Sequence, residues 1–232
     1  MVDAPRAPWF AHTRVIPFRA AGPAPYGPIH VVQERLLEER IAGAPADVLL
    51  IGEHERVVTL GRGTKAAVTA LPIPVVPIER GGQATWHGPG QLVAYPIVSL
   101  AELRLGVREY LRALEEALLR TIAAFGLAGE RRDGATGVWV GGRKVASIGV
   151  AIRRRVTWHG VALNVAPDLA DFQLIQPCGF APDVMTSMAR LLESGGGGGR
   201  TPALAAVRDV LVRELVVALH LAPPIWEPAA SP

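Results

Sequence analysis

The chain has 232 residues, half of them hydrophobic and 19% charged, with a net charge of +3 and a sequence pI near 9.5. That excludes a disordered chain and a dedicated nucleic-acid binder, and it suits one domain, or at most two small ones, with a proper core. A single cysteine excludes an internal disulfide. No apolar run reaches the ~18 residues of a membrane span, and the first eight residues lack a charged-then-apolar signal pattern, so a soluble cytoplasmic protein is expected.

Residues 1–27 are rich in proline and alanine, with a strand-like patch at 13–18 and a tip expected to be mobile. An amphipathic helix is predicted over 28–42, where Ile29, Val32, Leu36, Leu37 and Ile41 keep helical spacing and Gly43 and Pro45 end it. Strands are predicted at 47–51 and 57–60 around a turn at 53–56. The Gly-Arg-Gly-Thr-Lys run at 61–65 lacks the spacing of a phosphate-binding P-loop. Apolar runs at 75–78 and 92–98 bracket the most unusual stretch, 80–96. It holds Gly81, Gly82, Gly88 and Gly90 among Arg80, Thr85 and His87. So much glycine beside a cation, a hydroxyl and an imidazole marks a ligand cradle.

A long helix follows at 107–125, closed by Gly126. Strands at 137–140, 144–152 and 156–165 form a meander, turned at Gly141-Gly142 and Arg153-Arg154-Arg155. Short helical segments are expected at 167–174 and 184–192, with a loop at 176–179 between them. Five glycines at 195–199 read as a linker, and a last helix reaches about 219 behind a Thr201 N-cap and Pro202. The order has no regular βαβ repeat. It predicts an α/β (α+β) fold with a mixed, largely antiparallel sheet flanked by helices. The expected organisation is a proline-rich segment at 1–27, one catalytic domain at 28–222 and a frayed tail at 223–232.

Cys178 sits between Pro177 and Gly179 on the loop, presented rather than packed, and its reactivity requires a nearby cation to favour the thiolate. Lys144 is the best candidate: it follows a turn and opens an apolar strand, so it is able to point into a cleft. His87 and His159 share the local pattern Thr-Trp-His-Gly at 85–88 and 157–160, two strand ends that would line one pocket. No Cys/His/carboxylate cluster accompanies them in sequence, so no metal site is expected, and a Cys–His dyad competes with the Cys–Lys pair. Arg131-Arg132 and Arg153–Arg155 read as solvated turns, or as a basic rim for an acidic protein partner. His12, His30, His54 and His220 carry no signal.

Four ordered motifs go further. They are Arg-Gly-Gly-Gln-Ala-Thr-Trp-His-Gly-Pro-Gly-Gln from Arg80, Gly-Arg-Lys-Val-Ala-Ser-Ile-Gly from Gly142, His-Gly-Val-Ala-Leu-Asn-Val from His159 and Pro-Cys-Gly from Pro177. With them, residues 28–192 resemble the lipoyl(octanoyl) transferases. The resemblance implies a fold shared with lipoate–protein ligases and the biotin ligase catalytic domain, and transfer of an octanoyl group from octanoyl-acyl carrier protein to a lysine of a lipoyl domain. It implies that Cys178 carries the acyl group as a thioester and that Lys144 lowers its pKa. It places Arg80, Gly81, Gly82, Gln83, Ala84, Thr85, Trp86, His87, Ser147, Ile148, Gly149, Gly160, Val161 and Ala162 along the substrate site. No cofactor is implied. The implied acceptors are the lipoyl domains of 2-oxoacid dehydrogenase complexes and the glycine cleavage H protein, and a monomer is expected. The rival readings are an ATP-dependent lipoate–protein ligase and a non-catalytic binding module of the same fold.

Overall fold

The strand β2 (Val48–Gly52) decides the layering. Val48, Leu49, Leu50 and Ile51 are all buried, although side chains alternate between the two faces of a strand. Leu49 and Ile51 join the apolar faces of helices α2 (Val107–Ala123) and α4 (Leu204–Ala218), while Val48 and Leu50 meet α1 (Tyr26–Ile41). The same division separates Leu92 and Ala94 from Val93 and Tyr95 on the neighbouring strand β6 (Gln91–Ile97). The sheet is therefore covered by helices on both faces.

The computed structural model describes residues 12–64, 71–175, 181–194 and 200–230. The remaining strands are β1 (Thr13–Pro17), β3 (Val57–Leu60), β4 (Val75–Pro77), β5 (Ala84–His87), β7 (Gly137–Val140), β8 (Arg143–Arg153), β9 (Val156–Asn164) and β10 (Pro224–Trp226). Seven form one sheet in the order β10-β1-β2-β6-β9-β8-β7, and β4-β3-β5 form a smaller one. The parallel pairs are β1 with β2, β1 with β10 and β3 with β4; the others are antiparallel. The mixed, largely antiparallel sheet expected from sequence is present. The expected mobile tip, Cys178 with its loop and the five-glycine linker lie outside the described residues.

The strands expected before and after the 53–56 turn are both present, β2 in the large sheet and β3 in the small one. Three local expectations are corrected. The tail is not frayed, because β10 hydrogen-bonds beside β1 and Glu227 grips Arg14 through both carboxylate oxygens. Thr201 does not cap the last helix: Ala203 is extended at φ −62°, ψ 133°, and its carbonyl accepts from Val207. The single short helix expected at 184–192 is a 3-10 turn (Pro182–Val184) and a helix α3 (Met188–Ser194), parted where Met185 bridges to Lys144.

Candidate active site

The antiparallel register of β8 and β9 sets Ser147 against Ala162, Ile148 against Val161 and Gly149 against Gly160. Two motifs far apart in sequence thus become one wall. Arg80 lies across it. A side chain at Gly149 would place its Cβ 2.8 Å from Arg80 Cδ, so only glycine admits the arginine there. Arg80 is 6% exposed and donates to the carbonyls of Thr59, Gly81 and Gln83 and to Thr59 Oγ1. Bound four times, the guanidinium is a fixed strut between the two sheets.

On one side of Arg80 is a cavity with about 410 Å³ of empty space, its mouth included. Apolar groups of Ile78, Val93, Ile148, Val161 and Ala162 line its walls. Thr85, His87, Ser147, Gly149, Gly160, Tyr26, Tyr95 and His159 complete it. On the other side is a wider opening lined by Gly81, Gly82, Gln83, Leu111, Thr136, Lys144 and Val150. Arg80, Ile148 and Gly149 line both. Together they make an apolar slot joined to an opening that carries an amine.

Lys144 is 2% exposed and enters the second cavity with Nζ 5.4 Å from the centre of the Trp139 ring. Gly137 makes room for it: at φ +131° a Cβ there would sit 2.8 Å from Lys144 Cε and 2.4 Å from the Ala146 carbonyl. A surface role for Lys144 is thereby excluded.

The polar floor of the first cavity is a chain of hydrogen bonds. Gln91 Nε2 donates to Asn164 Oδ1, which leaves Gln91 Oε1 to accept from His87 Nδ1 at 2.7 Å. His87 Nε2 is then the acceptor for Thr59 Oγ1 at 3.3 Å, and Thr59 Oγ1 accepts from Arg80. Asn164 Nδ2 donates onward to the Thr186 carbonyl. Burial holds His87 neutral, down to about 4, against the Gln91 hydrogen bond that raises it, with Arg80 lowering it further. Burial likewise drives His54 well below its ordinary value and His159 to about 3. His54 bonds Tyr95 Oη at 2.8 Å. A neutral His87 with both ring nitrogens engaged is poorly placed to be the activating base of a Cys–His dyad.

Most sequence-predicted site residues come together at these two cavities. Ala84 and Trp86 do not: β5 alternates, so Thr85 and His87 face the slot while Trp86 turns away onto Phe172, 5.2 Å between ring centres. His30 and His54, silent in sequence, lie within the aromatic cluster around Tyr26. Tyr26, Thr59, Ile78, Val93 and Tyr95 were not singled out. Tyr95, a tyrosine inside an apolar strand, carried the clearest available signal. Among the arginines, Arg155 reaches the carbonyls of Leu100 and Leu105, Arg131 pairs with Glu115 and Glu116, and Arg153 pairs with Glu38. These arginines are exposed, as expected of solvated turns, and also pair with neighbouring groups.

Residues 28–216 match the family model of the lipoyl protein ligase A/B catalytic domain. The octanoyltransferase of Xylella fastidiosa (strain 9a5c) is 43% identical over 204 residues, covering 87% of each chain. Among solved structures, a lipoate-protein ligase A bound with ATP superposes with a TM-score of 0.68 at 16% identity, covering 95% of this chain and 90% of that one. The biotin protein ligase of Aquifex aeolicus gives 0.51 at 14% identity, covering 90% and 69%. At such identities the structural likenesses establish the fold alone. The sequence identity to the octanoyltransferases over most of both chains establishes the family: the chain belongs to the octanoyltransferases, acyltransferases of the lipoyl protein ligase A/B catalytic domain family.

Proposed function

We propose that this chain transfers an octanoyl group from octanoyl-acyl carrier protein to the ε-amine of a lysine on a lipoyl domain, through a thioester on Cys178. The observation that carries the reading is the continuity of an apolar slot with the opening that holds buried Lys144, across Arg80, Ile148 and Gly149. Six methylenes at ~0.8 kcal/mol each give on the order of 5 kcal/mol of slot binding, an upper bound.

The Cys178 thiolate attacks the donor thioester, and the carrier arm leaves as a thiol after taking a proton. Thioester exchanges for thioester, so the step needs no ATP. The acceptor amine then attacks the Cys178 thioester, an amide forms, and the cysteine leaves as thiolate. Lys144 moves the protons: as ammonium it favours the thiolate and supplies the departing arm, and as amine it accepts from the incoming lysine. The acceptors fitting this chemistry are lipoyl domains of 2-oxoacid dehydrogenase complexes and the glycine cleavage H protein. A groove beside the Lys144 opening, lined by Arg108, Arg112 and Arg132 with Glu115 and Asp133, suits an acidic carrier protein at its rim. The chain is read as a cytoplasmic monomer, and the catalytic domain expected at 28–222 takes in strands β1 and β10 as well, since both belong to its sheet. No helix among the described residues is long and apolar enough to cross a membrane.

The test is mass spectrometry after incubation with octanoyl-acyl carrier protein. One octanoyl group, removable by hydroxylamine and absent from Cys178→Ser, is the expected result. Labelling only with octanoate and ATP would replace this reading with a ligase.

A further inference from the structure

His159 combines deep burial, a left-handed backbone and unpartnered ring nitrogens. It is 1% exposed and lies within β9, yet its backbone takes φ +53°, a left-handed conformation that costs energy in the middle of a strand. Neither ring nitrogen has a hydrogen-bond partner. Two ligand-type groups face it from other elements. Glu79 Oε2, in the approach to β5, is 3.6 Å from His159 Nε2, and the same oxygen is 3.3 Å from Nε2 of His30 on α1. One potential ligand atom from each residue lies within 4.8 Å of the others.

We infer that His30, Glu79 and His159 form a binding site for a divalent transition-metal ion of the zinc class. Two imidazoles and one carboxylate are a ligand set that zinc accepts in tetrahedral sites. Ligand atoms ~2.0–2.2 Å from zinc lie about 3.3–3.6 Å apart along a tetrahedral edge, so the two Glu79 distances, 3.3 and 3.6 Å, need little adjustment. The two rings stand with centres 5.8 Å apart; Trp158 stacks on the His159 ring, 4.3 Å between centres, and meets the His30 ring at a tilt, 5.7 Å away. Glu34, one turn along α1, brings a second carboxylate to 4.0 Å from His30 Nδ1 and adds negative charge beside the site. The charge of Arg80 opposes a cation here; its guanidinium is occupied by four acceptors, and Glu79 and Glu34 offset it. Side-chain exposures of 20% for His30 and 39% for Glu79 leave a way in from solvent, while His159 forms part of the acyl slot. Three protein ligands leave a fourth position open.

The proposal does not rest on the catalytic reading, although His159 also lines the acyl slot. The experiment uses the full chain without an affinity tag, stripped of metal, with Cys178→Ser to remove thiolate ligation. Titration with Zn²⁺ and with Co²⁺ should show one ion per chain, and Co²⁺ should give the intense visible bands of tetrahedral geometry. His30→Ala and Glu79→Gln, both at partly exposed positions, should each weaken binding about tenfold or more, and the cobalt bands should fade with them. His159→Ala should do the same where it folds. No saturable binding, or an affinity unchanged in both His30→Ala and Glu79→Gln, would overturn the site.

Discussion

Thr186 donates its backbone N–H to the carbonyl of Lys144 at 3.0 Å, and its own carbonyl accepts from Asn164 Nδ2 at 2.9 Å. Residues 185–186 are thereby pinned to the strand carrying the lysine. On the other side of 176–180, Arg56 holds Asp171, and Phe172 packs against Trp86. The described residues on both sides of 176–180 are thus held against strands.

The first prediction concerns the thiol. Replacing Lys144 with Met keeps much of the volume against Trp139 and removes the charge. The pH midpoint for alkylation of Cys178 by iodoacetamide should rise toward the ordinary cysteine value of about 8.5. Transfer from octanoyl-acyl carrier protein should fall by about 10² or more, the range of general acid–base contributions. An unmoved alkylation profile would assign thiol activation to another group.

A second prediction follows from the space beneath Lys144. Gly137→Ala adds one carbon where Lys144 Cε and the Ala146 carbonyl already stand, at a backbone angle that disfavours any side chain. Transfer should drop in kcat more than in KM, because the amine moves while the slot stays. Stability should fall by about 1–3 kcal/mol. An active, fully stable Gly137→Ala protein would show that the lysine has room to spare.

A third concerns the slot itself. Gly149→Val would drive branched carbons into Arg80 Cδ and narrow the passage between the two cavities. Octanoyl transfer should be lost while shorter acyl donors keep part of their rate. Equal loss for acetyl and octanoyl donors would mean that Arg80, not chain clearance, is what Gly149 protects.

How much of this was legible beforehand depended on the reach of each residue's partners. The meander at 137–165 was readable because its pairings are local and turned by glycines and arginines at left-handed positions. Lys144 and the 80–87 stretch were readable as candidates because polar or glycine residues interrupt apolar strands, whereas 160–162 entered only through the resemblance carried by the His159 motif. Trp86 was misplaced because a motif says nothing about which face a strand presents, whereas alternation along β5 does. Strand β10 escaped notice because a proline-rich three-residue segment acquires strand geometry only by lying beside β1. His30 and Glu79 were silent because their meaning depends on His159, which reaches them only through the fold.

The last prediction concerns pH. His87 and His159 are held neutral in the folded state, near 4 and 3, against about 6.5 in an unfolded chain, and His54 is lowered as well. Between those values the unfolded state binds more protons, so stability rises with pH through this window. The contribution is fully present above about 6.5 and is lost as pH falls toward 4 and 3, on the order of a few kcal/mol for each ring. The thermal midpoint should be level from pH 8 to 7 and decline steeply between pH 6.5 and 4.5. His87→Gln should flatten that decline, since an amide retains a partner for Gln91 and cannot take up a proton. If wild type and His87→Gln lose stability in parallel across this range, the buried imidazoles are not what sets the acid limit of the fold.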